Sequence, residues 1–163
     1  MNKSEEFQLL DATAELDLIT RYSNSQKRLL LFDYDGTLTP LMPLPEQAAP
    51  SEDLLQLLHH LASDVRNTIY IISGREYLTL GKWLDQLNLN LIPEHGAWIK
   101  LSGSDWSTIS FLDSGWKDAV TEIMENYSLI CNGSIVETKS YSLAWHYRNA
   151  DENCVSSVYP HLI

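Results

Sequence analysis

Two aspartates separated by one residue follow directly after an apolar run. The run from Leu29 to Phe32 is continuously apolar, and Asp33, Asp35 and Gly36 come next. Because alternate residues of an extended strand lie on one face, both carboxylates can converge on one ligand. Two such charges repel each other unless a cation lies between them, and Mg²⁺ is a cation that oxygen ligands suit. The spacing therefore favours a metal-assisted site, and the alternative is a plain Asp-Gly turn with solvated acids.

A second apolar run, residues 68–72, ends in Ser73, Gly74 and Arg75. A serine hydroxyl and the amides of a following helix can donate to a phosphoryl oxygen. The planar guanidinium of arginine suits phosphate or sugar hydroxyls. In isolation, the same three residues are also compatible with an ordinary helix N-cap.

A third run, residues 89–92, leads into Glu94, His95 and Gly96. In isolation this segment is typical of a turn with a solvated glutamate. However, ligands of open α/β sheets bind at the carboxyl ends of parallel strands. Three runs that each end in polar residues therefore predict one shared site at that edge.

The elements that must position these groups alternate between strand and helix. The strands are apolar without alternation, which predicts a parallel sheet with both faces covered by helices. Residues 5–22 have the apolar spacing of an amphipathic helix, and Ser51 is a good N-cap for a second helix with a leucine stripe. The predicted fold class is therefore α/β.

Residues 115–147 have the pattern of a helix followed by two strands. Glu137 and Lys139 lie two positions apart, so they share one face of their strand. Arg148 lies near the end of the next strand. In isolation such a face is usually exposed to water, as antiparallel sheets allow.

Composition limits the function classes. The chain has 163 residues and 44% hydrophobic content, enough for one domain or one domain and part of another. Its 11 basic and 22 acidic residues give a net charge of −11, which disfavours binding to nucleic acid or anionic membranes. Neither a membrane-spanning stretch nor a secretion signal is seen, so we expect a cytoplasmic protein. Cys131 and Cys154 stand far apart, and we predict free thiols.

The motifs taken together resemble those of the haloacid-dehalogenase superfamily of phosphohydrolases. Asp33, Asp35 and Thr37 match its Asp-x-Asp-x-Thr motif. The fuller set resembles trehalose 6-phosphate phosphatases, especially the phosphatase domain fused behind a trehalose-phosphate synthase. This resemblance runs from about residue 28 to residue 151.

The resemblance implies a role for each matching residue. Asp33 would attack phosphorus, and Asp35 would act as the acid and base. Both would hold Mg²⁺, Asp35 through its backbone carbonyl. The phosphate would be bound by Thr37, Ser73 and Gly74, and the substrate, trehalose 6-phosphate, by Arg75, Glu94, His95, Gly96, Glu137, Lys139 and Arg148.

The resemblance also implies a Rossmann-like three-layer core with a partial α+β cap. The expected divisions are a helical lead-in at 1–27, an incomplete core at 28–110 and a partial cap at 111–163. The superfamily's later lysine and acidic pair have no convincing match, so we expect a C-terminally truncated phosphatase that is impaired alone. Its partner could be a synthase or a complementary C-terminal fragment.

Two alternatives stay open at this point. One is a non-catalytic remnant that binds sugar phosphate or a synthase partner. The other is a related phosphatase with a different sugar phosphate, because the cap determines which sugar is accepted.

Overall fold

The computed structural model of the protein describes residues 11–108 and 113–162. Within them a parallel three-stranded sheet with helices is followed by two small antiparallel sheets and further helices. The strands are β1 (Arg28–Asp33), β2 (Asn67–Ile72), β3 (Asn90–Ile92), β4 (Trp98–Ile99), β5 (Ser107–Thr108), β6 (Ile135–Thr138) and β7 (Leu143–His146). The helices are α1 (Ala12–Asn24), α2 (Glu52–Ser63), α3 (Tyr77–Leu84), α4 (Lys117–Ile130) and α5 (Glu152–Val158), with 3-10 turns at Pro45–Ala48, Glu94–Gly96 and Tyr159–His161.

The parallel sheet has the order β1-β2-β3, and its strands end at the same level. Asp33 pairs with Ile72, and Ile72 pairs with Ile92. The segments that follow the three strands therefore leave the sheet at one edge. This is the arrangement that the three apolar runs predicted.

Helices α2 and α3 pack against the same face of the sheet. Helix α2 starts after Ser51, whose Oγ accepts a hydrogen bond from the Leu54 amide at 3.2 Å, as the N-cap prediction expected. Leucines of both helices share one buried cluster with the inward residues of β2 and β3. The cluster includes Leu58, Leu80, Leu84, Ile69, Ile71 and Leu91.

The opposite face of the sheet is open within the described residues. Leu29 is 63% exposed and Leu31 is 58% exposed. Together with Tyr70 and Ile92 they border a groove of about 570 Å³. The continuous apolar run predicted helices on both faces, but the described helices α2 and α3 cover one.

The amino-terminal helix is partly the one predicted. The sequence predicted residues 5–22, and the structure has α1 after an Asp11 cap, whose Oδ1 accepts from the Ala14 amide at 2.8 Å. Residues 5–10 lie outside the described part of the chain. The end of α1 is joined to β1, since the Arg28 guanidinium lies 4.0 Å from the centre of the Tyr22 ring. The predicted boundary at 110/111 also falls outside the described residues.

The cap is built from α4, α5 and the antiparallel hairpin of β6 and β7. Gly133 forms the turn between α4 and β6 at φ +94°, a conformation that suits glycine. A Cβ atom there would lie 2.2 Å from the Asn149 carbonyl oxygen, so a larger residue cannot fit without moving the backbone. This contact brings the chain on both sides of the hairpin together.

The prediction of two free thiols was wrong, because Cys131 and Cys154 form a disulfide with a Cα–Cα distance of 5.6 Å. Cys131 ends α4, and Cys154 lies in the first turn of α5, whose N-cap Asp151 accepts from the Cys154 amide at 3.0 Å. A separation of 23 residues gives no local sign that these helix ends meet. Both strands of the cap hairpin lie between the two cysteines.

We expect the Cys131→Ser/Cys154→Ser double variant to lose about 3 kcal/mol of stability, because the bond restricts a loop of more than 20 residues in the unfolded chain. Denaturant unfolding of oxidised wild type and of the variant measures this difference. A reducing agent should shift the wild-type midpoint and leave that of the variant unchanged. Equal wild-type midpoints with and without reductant would contradict the prediction.

Within the described residues, no helix combines the length and the apolar character needed to span a bilayer.

Candidate active site

The two aspartates at the end of β1 flank a buried tyrosine. Tyr34 is fully buried, donates its hydroxyl hydrogen to the Ala48 carbonyl at 2.8 Å and stacks on Trp83 with ring centres 5.6 Å apart. Burial, followed by the charge of Asp35, raises the pKa of the Tyr34 hydroxyl. Tyr34 therefore acts as an anchor that holds the segment carrying Asp33 and Asp35 against the core.

The Asp33 carboxylate lies at the exposed end of β1. The Thr37 hydroxyl donates to its Oδ2 at 3.2 Å. Between them, Gly36 takes φ +82° and its amide donates to the Thr39 carbonyl at 2.7 Å, which folds the chain back. The turn therefore leaves the carboxylate accessible and held on one side by a hydroxyl.

The Asp35 carboxylate is held by a fork of hydrogen bonds from Arg75. The Nε–Oδ2 distance is 2.8 Å and the Nη2–Oδ1 distance is 2.5 Å. Arg75 also donates to the Pro45 carbonyl and lies 5.5 Å from the centre of the Trp83 ring. The hydrogen bonds to Asp35 raise the pKa of the Arg75 guanidinium, while burial acts against them. Arg75, which the sequence assigned to substrate, is therefore placed to orient the Asp35 carboxylate.

The loops after β2 and β3 are bound to each other through their backbones. The His95 amide donates to the Ser73 carbonyl at 3.1 Å, and the Glu94 amide donates to the Arg75 carbonyl at 3.0 Å. Glu94 and His95 have backbone φ values of 48° and 55°, which residues other than glycine rarely adopt. Buried Ser73 caps its own loop, since its Oγ accepts from the Arg75 amide at 3.1 Å. The paired loops stabilise the strained turn.

Gly74 lies where three groups meet. A Cβ atom on Gly74 would lie 2.7 Å from the His95 ring, so the imidazole occupies the space of a side chain. Lys139 of the cap donates from Nζ to the Gly74 carbonyl at 2.8 Å. The same Nζ lies 3.4 Å from Glu137 Oε2, and Lys139 is 9% exposed. The Lys139 ammonium group of the cap therefore contacts the loop after β2, in which Ser73 and Gly74 were predicted to bind phosphate.

Glu94 also connects the core to the cap through hydrogen bonds. Its carboxylate is 4% exposed and accepts from the Tyr77 amide at 3.4 Å and from the Tyr141 amide at 3.3 Å. The first donor starts α3, and the second lies between the cap strands. Gly96 ends the turn at φ +95°. A substrate contact for Glu94 stays a prediction, and its observed bonds connect the two parts.

A cavity of about 480 Å³ lies between the core and the cap. This size is within the usual range of small-molecule sites. Of the residues that the sequence singled out, its lining includes Asp35, Gly74, Arg75, Glu137, Lys139 and Arg148. The other predicted site residues do not line it: Asp33, Thr37, Ser73, Glu94, His95 and Gly96.

Sequence reasoning missed part of the cavity wall. Trp145 and His146 from β7 line it, together with Met42 and Pro43 from the proline-rich loop, which is residues 40–50 between β1 and α2. His146 Nε2 lies 2.6 Å from Glu137 Oε2. The strand over residues 141–147 was predicted, but its register against β6 was not, so the facing residues could not be chosen.

The oxygen donors at the end of β1 suit Mg²⁺, but they form a partial ligand set. The Asp33 carboxylate and the Asp35 backbone carbonyl are hard ligands of the kind Mg²⁺ binds while keeping several waters. Both carboxylate oxygens of Asp35 are bonded to Arg75. Among residues 11–108 and 113–162 there is no cluster of three or more His, Cys, Asp or Glu side chains that could hold a metal.

The sequence profile of the Trehalose-phosphatase family matches residues 31–161, which include the aspartate pair, the two loops and the cap hairpin. This chain belongs to the trehalose-phosphatase family. Its core and cap also resemble the C. albicans trehalose-6-phosphate phosphatase C-terminal domain, with a TM-score of 0.85 and 41% identity over 90% of this chain. The α/β fold class predicted from the sequence is confirmed.

Curated relatives of the trehalose-phosphatase family are much longer than this chain. The trehalose-phosphatase of Zygosaccharomyces rouxii is 44% identical over 138 residues, or 82% of this chain and 15% of the relative. The bifunctional trehalose-6-phosphate synthase/phosphatase of Thermoproteus tenax is 41% identical over 142 residues, or 87% of this chain and 19% of the relative. The chain thus spans less than a fifth of these relatives, and 52% of the solved C. albicans domain.

Proposed function

We propose that this chain carries the reacting half of a phosphatase site that hydrolyses trehalose 6-phosphate to trehalose and phosphate. The single observation that carries the proposal is the cavity between Asp35 and the cap face of Glu137 and Lys139. One wall holds an oriented carboxyl group, and the other presents polar groups suited to sugar hydroxyls. Family membership supports the same reaction.

The first step assigned to this site is attack of an Asp33 oxygen on phosphorus. A bond forms between that oxygen and phosphorus while the bond from phosphorus to the sugar oxygen breaks. Asp35 has to leave the fork of Arg75 and carry a proton for this step, and it gives that proton to the departing sugar oxygen. In the second step Asp35 takes a proton from water, whose oxygen attacks phosphorus, and the Asp33 carboxylate is released with phosphate.

The cap contributes recognition in this proposal. Lys139 and Arg148 carry positive charge at the cavity, although the whole chain has a net charge of −11. Arg148 also donates to the Met42 carbonyl at 3.0 Å, which ties the end of the hairpin to the proline-rich loop. Local cations of this kind offset repulsion of an anionic substrate. Glu137 supplies an acceptor for sugar hydroxyls.

Mg²⁺ is the proposed cofactor, held by the Asp33 carboxylate and the Asp35 carbonyl, where it would neutralise charge on the phosphoryl oxygens. A trehalose-phosphate synthase is the proposed partner, because the T. tenax relative is named as a synthase/phosphatase. A complementary C-terminal fragment is a second proposed partner. The cytoplasmic location stays a prediction, and a disulfide such as Cys131–Cys154 is of a type rare in cytosolic proteins.

A non-catalytic sugar-phosphate-binding role is the alternative. It is favoured by the engagement of both Asp35 carboxylate oxygens with Arg75. It is also favoured by the lack, within the described residues, of a third acid near the aspartates.

Single-turnover assays with labelled trehalose 6-phosphate and Mg²⁺ separate these functions. We expect a phosphorylated protein intermediate and phosphate release, and at least about tenfold faster reaction than with glucose 6-phosphate, because the second sugar adds contacts to the cap. Calorimetry on the same protein measures binding of both sugar phosphates. Tight binding of trehalose 6-phosphate without any phosphoryl transfer would support the non-catalytic alternative.

A further inference from the structure

The cap face that borders the cavity carries a connected row of polar side chains. In the β6–β7 register, Glu137 pairs with Ala144 and Ile135 pairs with His146, so His146 is a diagonal neighbour of Glu137 on the same face. Lys139 follows two positions after Glu137. The small methyl group of Ala144 stands directly opposite Glu137, which leaves room for the imidazole to reach the carboxylate.

The contact between His146 and Glu137 is short and directional. His146 Nε2 lies 2.6 Å from Glu137 Oε2. An ionised carboxylate can only accept hydrogen bonds, so we assign the hydrogen of this contact to Nε2. The side chains are 37% and 26% exposed, which leaves both accessible from the cavity.

The same carboxylate oxygen connects His146 to the core. Glu137 Oε2 lies 3.4 Å from Lys139 Nζ, and that Nζ donates to the Gly74 carbonyl at 2.8 Å. The row therefore runs from the cap strand β7 to the loop after β2. Within residues 11–108 and 113–162, the bonds to Glu137 use Oε2, so Oε1 has no hydrogen-bond partner.

We infer that His146 is a positioning residue, which holds Glu137 by Oε2 so that Oε1 faces the cavity to accept a hydroxyl of the substrate's sugar. This inference rests on the proposed function, because the hydroxyl belongs to trehalose 6-phosphate. Without His146, the contact of Oε2 with Lys139 remains, and the carboxylate can turn about it or into water. Ordering it again on binding costs affinity for the sugar and leaves affinity for a bare phosphate unaffected.

Three variants test the inference. His146→Phe keeps a ring of similar size and removes the donor. His146→Gln keeps an N–H donor near the position of Nε2. His59→Gln, on the exposed side of α2, is the matched control outside the cavity.

Calorimetry measures the affinity of each protein for trehalose 6-phosphate and for inorganic phosphate, both in the presence of EDTA so that no turnover accompanies binding. We expect His146→Phe to weaken trehalose 6-phosphate binding by up to about tenfold, the usual cost of ordering one freed side chain on binding, and to leave phosphate binding unchanged. His146→Gln should stay within about threefold of wild type, and His59→Gln should match it. Unchanged phosphate affinity also shows that each variant is folded.

The outcomes separate the inference from the proposed function. If wild type binds inorganic phosphate but not trehalose 6-phosphate, the proposed function fails and the inference fails with it. If wild type binds trehalose 6-phosphate and His146→Phe binds it equally well, the inference alone fails. Equal losses in the Phe and Gln variants would overturn the inference, because the Gln variant keeps an N–H donor and should then retain affinity.

The carboxyl-carbon resonance of Glu137, followed by NMR in the ligand-free protein, is an independent measurement. It should move in His146→Phe and stay in place in His59→Gln, because only the first variant removes a donor from the carboxylate. A resonance that does not move in His146→Phe would overturn the proposed contact, whatever the binding data show.

Discussion

Replacing Asp33 by asparagine is expected to abolish the phosphorylated intermediate with every substrate and to lower phosphoryl transfer by at least about 10⁴-fold. The amide keeps nearly the shape of the side chain but has no anionic oxygen to attack phosphorus. Thr37, which donates to Asp33 Oδ2 at 3.2 Å, can still donate to the amide oxygen, so the turn should keep its fold. Acid-quenched single-turnover labelling of the protein measures the intermediate.

Asp53→Asn is the matched control for this prediction, because Asp53 is exposed in the first turn of α2 and distant in sequence from both aspartates. The Asp53→Asn variant should form the labelled phosphorylated intermediate at the wild-type rate. Persistent labelling of Asp33→Asn at the wild-type rate would mean that another group is the nucleophile. Unfolding midpoints of both variants should stay close to that of wild type, since neither side chain is buried.

Replacing Asp35 by asparagine is expected to lower the reaction of trehalose 6-phosphate by about 10²-fold to 10⁴-fold, the usual range for loss of a general acid. The sugar alkoxide is a poor leaving group and needs a proton. The nitrophenolate of p-nitrophenyl phosphate leaves without one, so its first release should be slowed far less. Rapid-mixing measurement of nitrophenolate and sugar release compares the two.

The contrast between the two leaving groups also separates chemistry from structure. Asp35→Asn removes the charge that accepts the fork from Arg75, and Arg75 keeps its bond to the Pro45 carbonyl. A variant with a disordered site would lose activity equally on trehalose 6-phosphate and on p-nitrophenyl phosphate. Equal losses would therefore contradict a general-acid role for Asp35 and indicate that its ion pair with Arg75 maintains the site.

Several parts of this molecule follow from local physics that a sequence carries. Continuous apolar runs form buried strands, and parallel strands that alternate with helices must end at one edge. This is why residues 68–72 and Ser73 could be placed beside Asp33 without coordinates. The N-cap at Ser51 is equally local, because its donor lies three residues away.

The cysteines show the opposite case. The pairing of Cys131 with Cys154 depends on how the end of α4 meets the start of α5, and nothing within a few residues of either cysteine reports that meeting. The exposed face of β1 is similar. The apolar pattern of residues 29–32 predicts that the strand is buried on both faces, but it does not identify the residues that cover it.

Within the site, residue types were determined by the sequence, whereas their partners were decided by the tertiary structure. The motifs suggested Arg75 as a group for phosphate or sugar hydroxyls, and the resemblance to trehalose phosphatases suggested Glu137 as a group for sugar hydroxyls. The bond from Arg75 to Asp35 spans 40 residues. The bond from His146 to Glu137 depends on a hairpin register that its turn sets. Such contacts arise only when separate elements are packed, because a side chain's bond depends on distances that the order of residues does not contain.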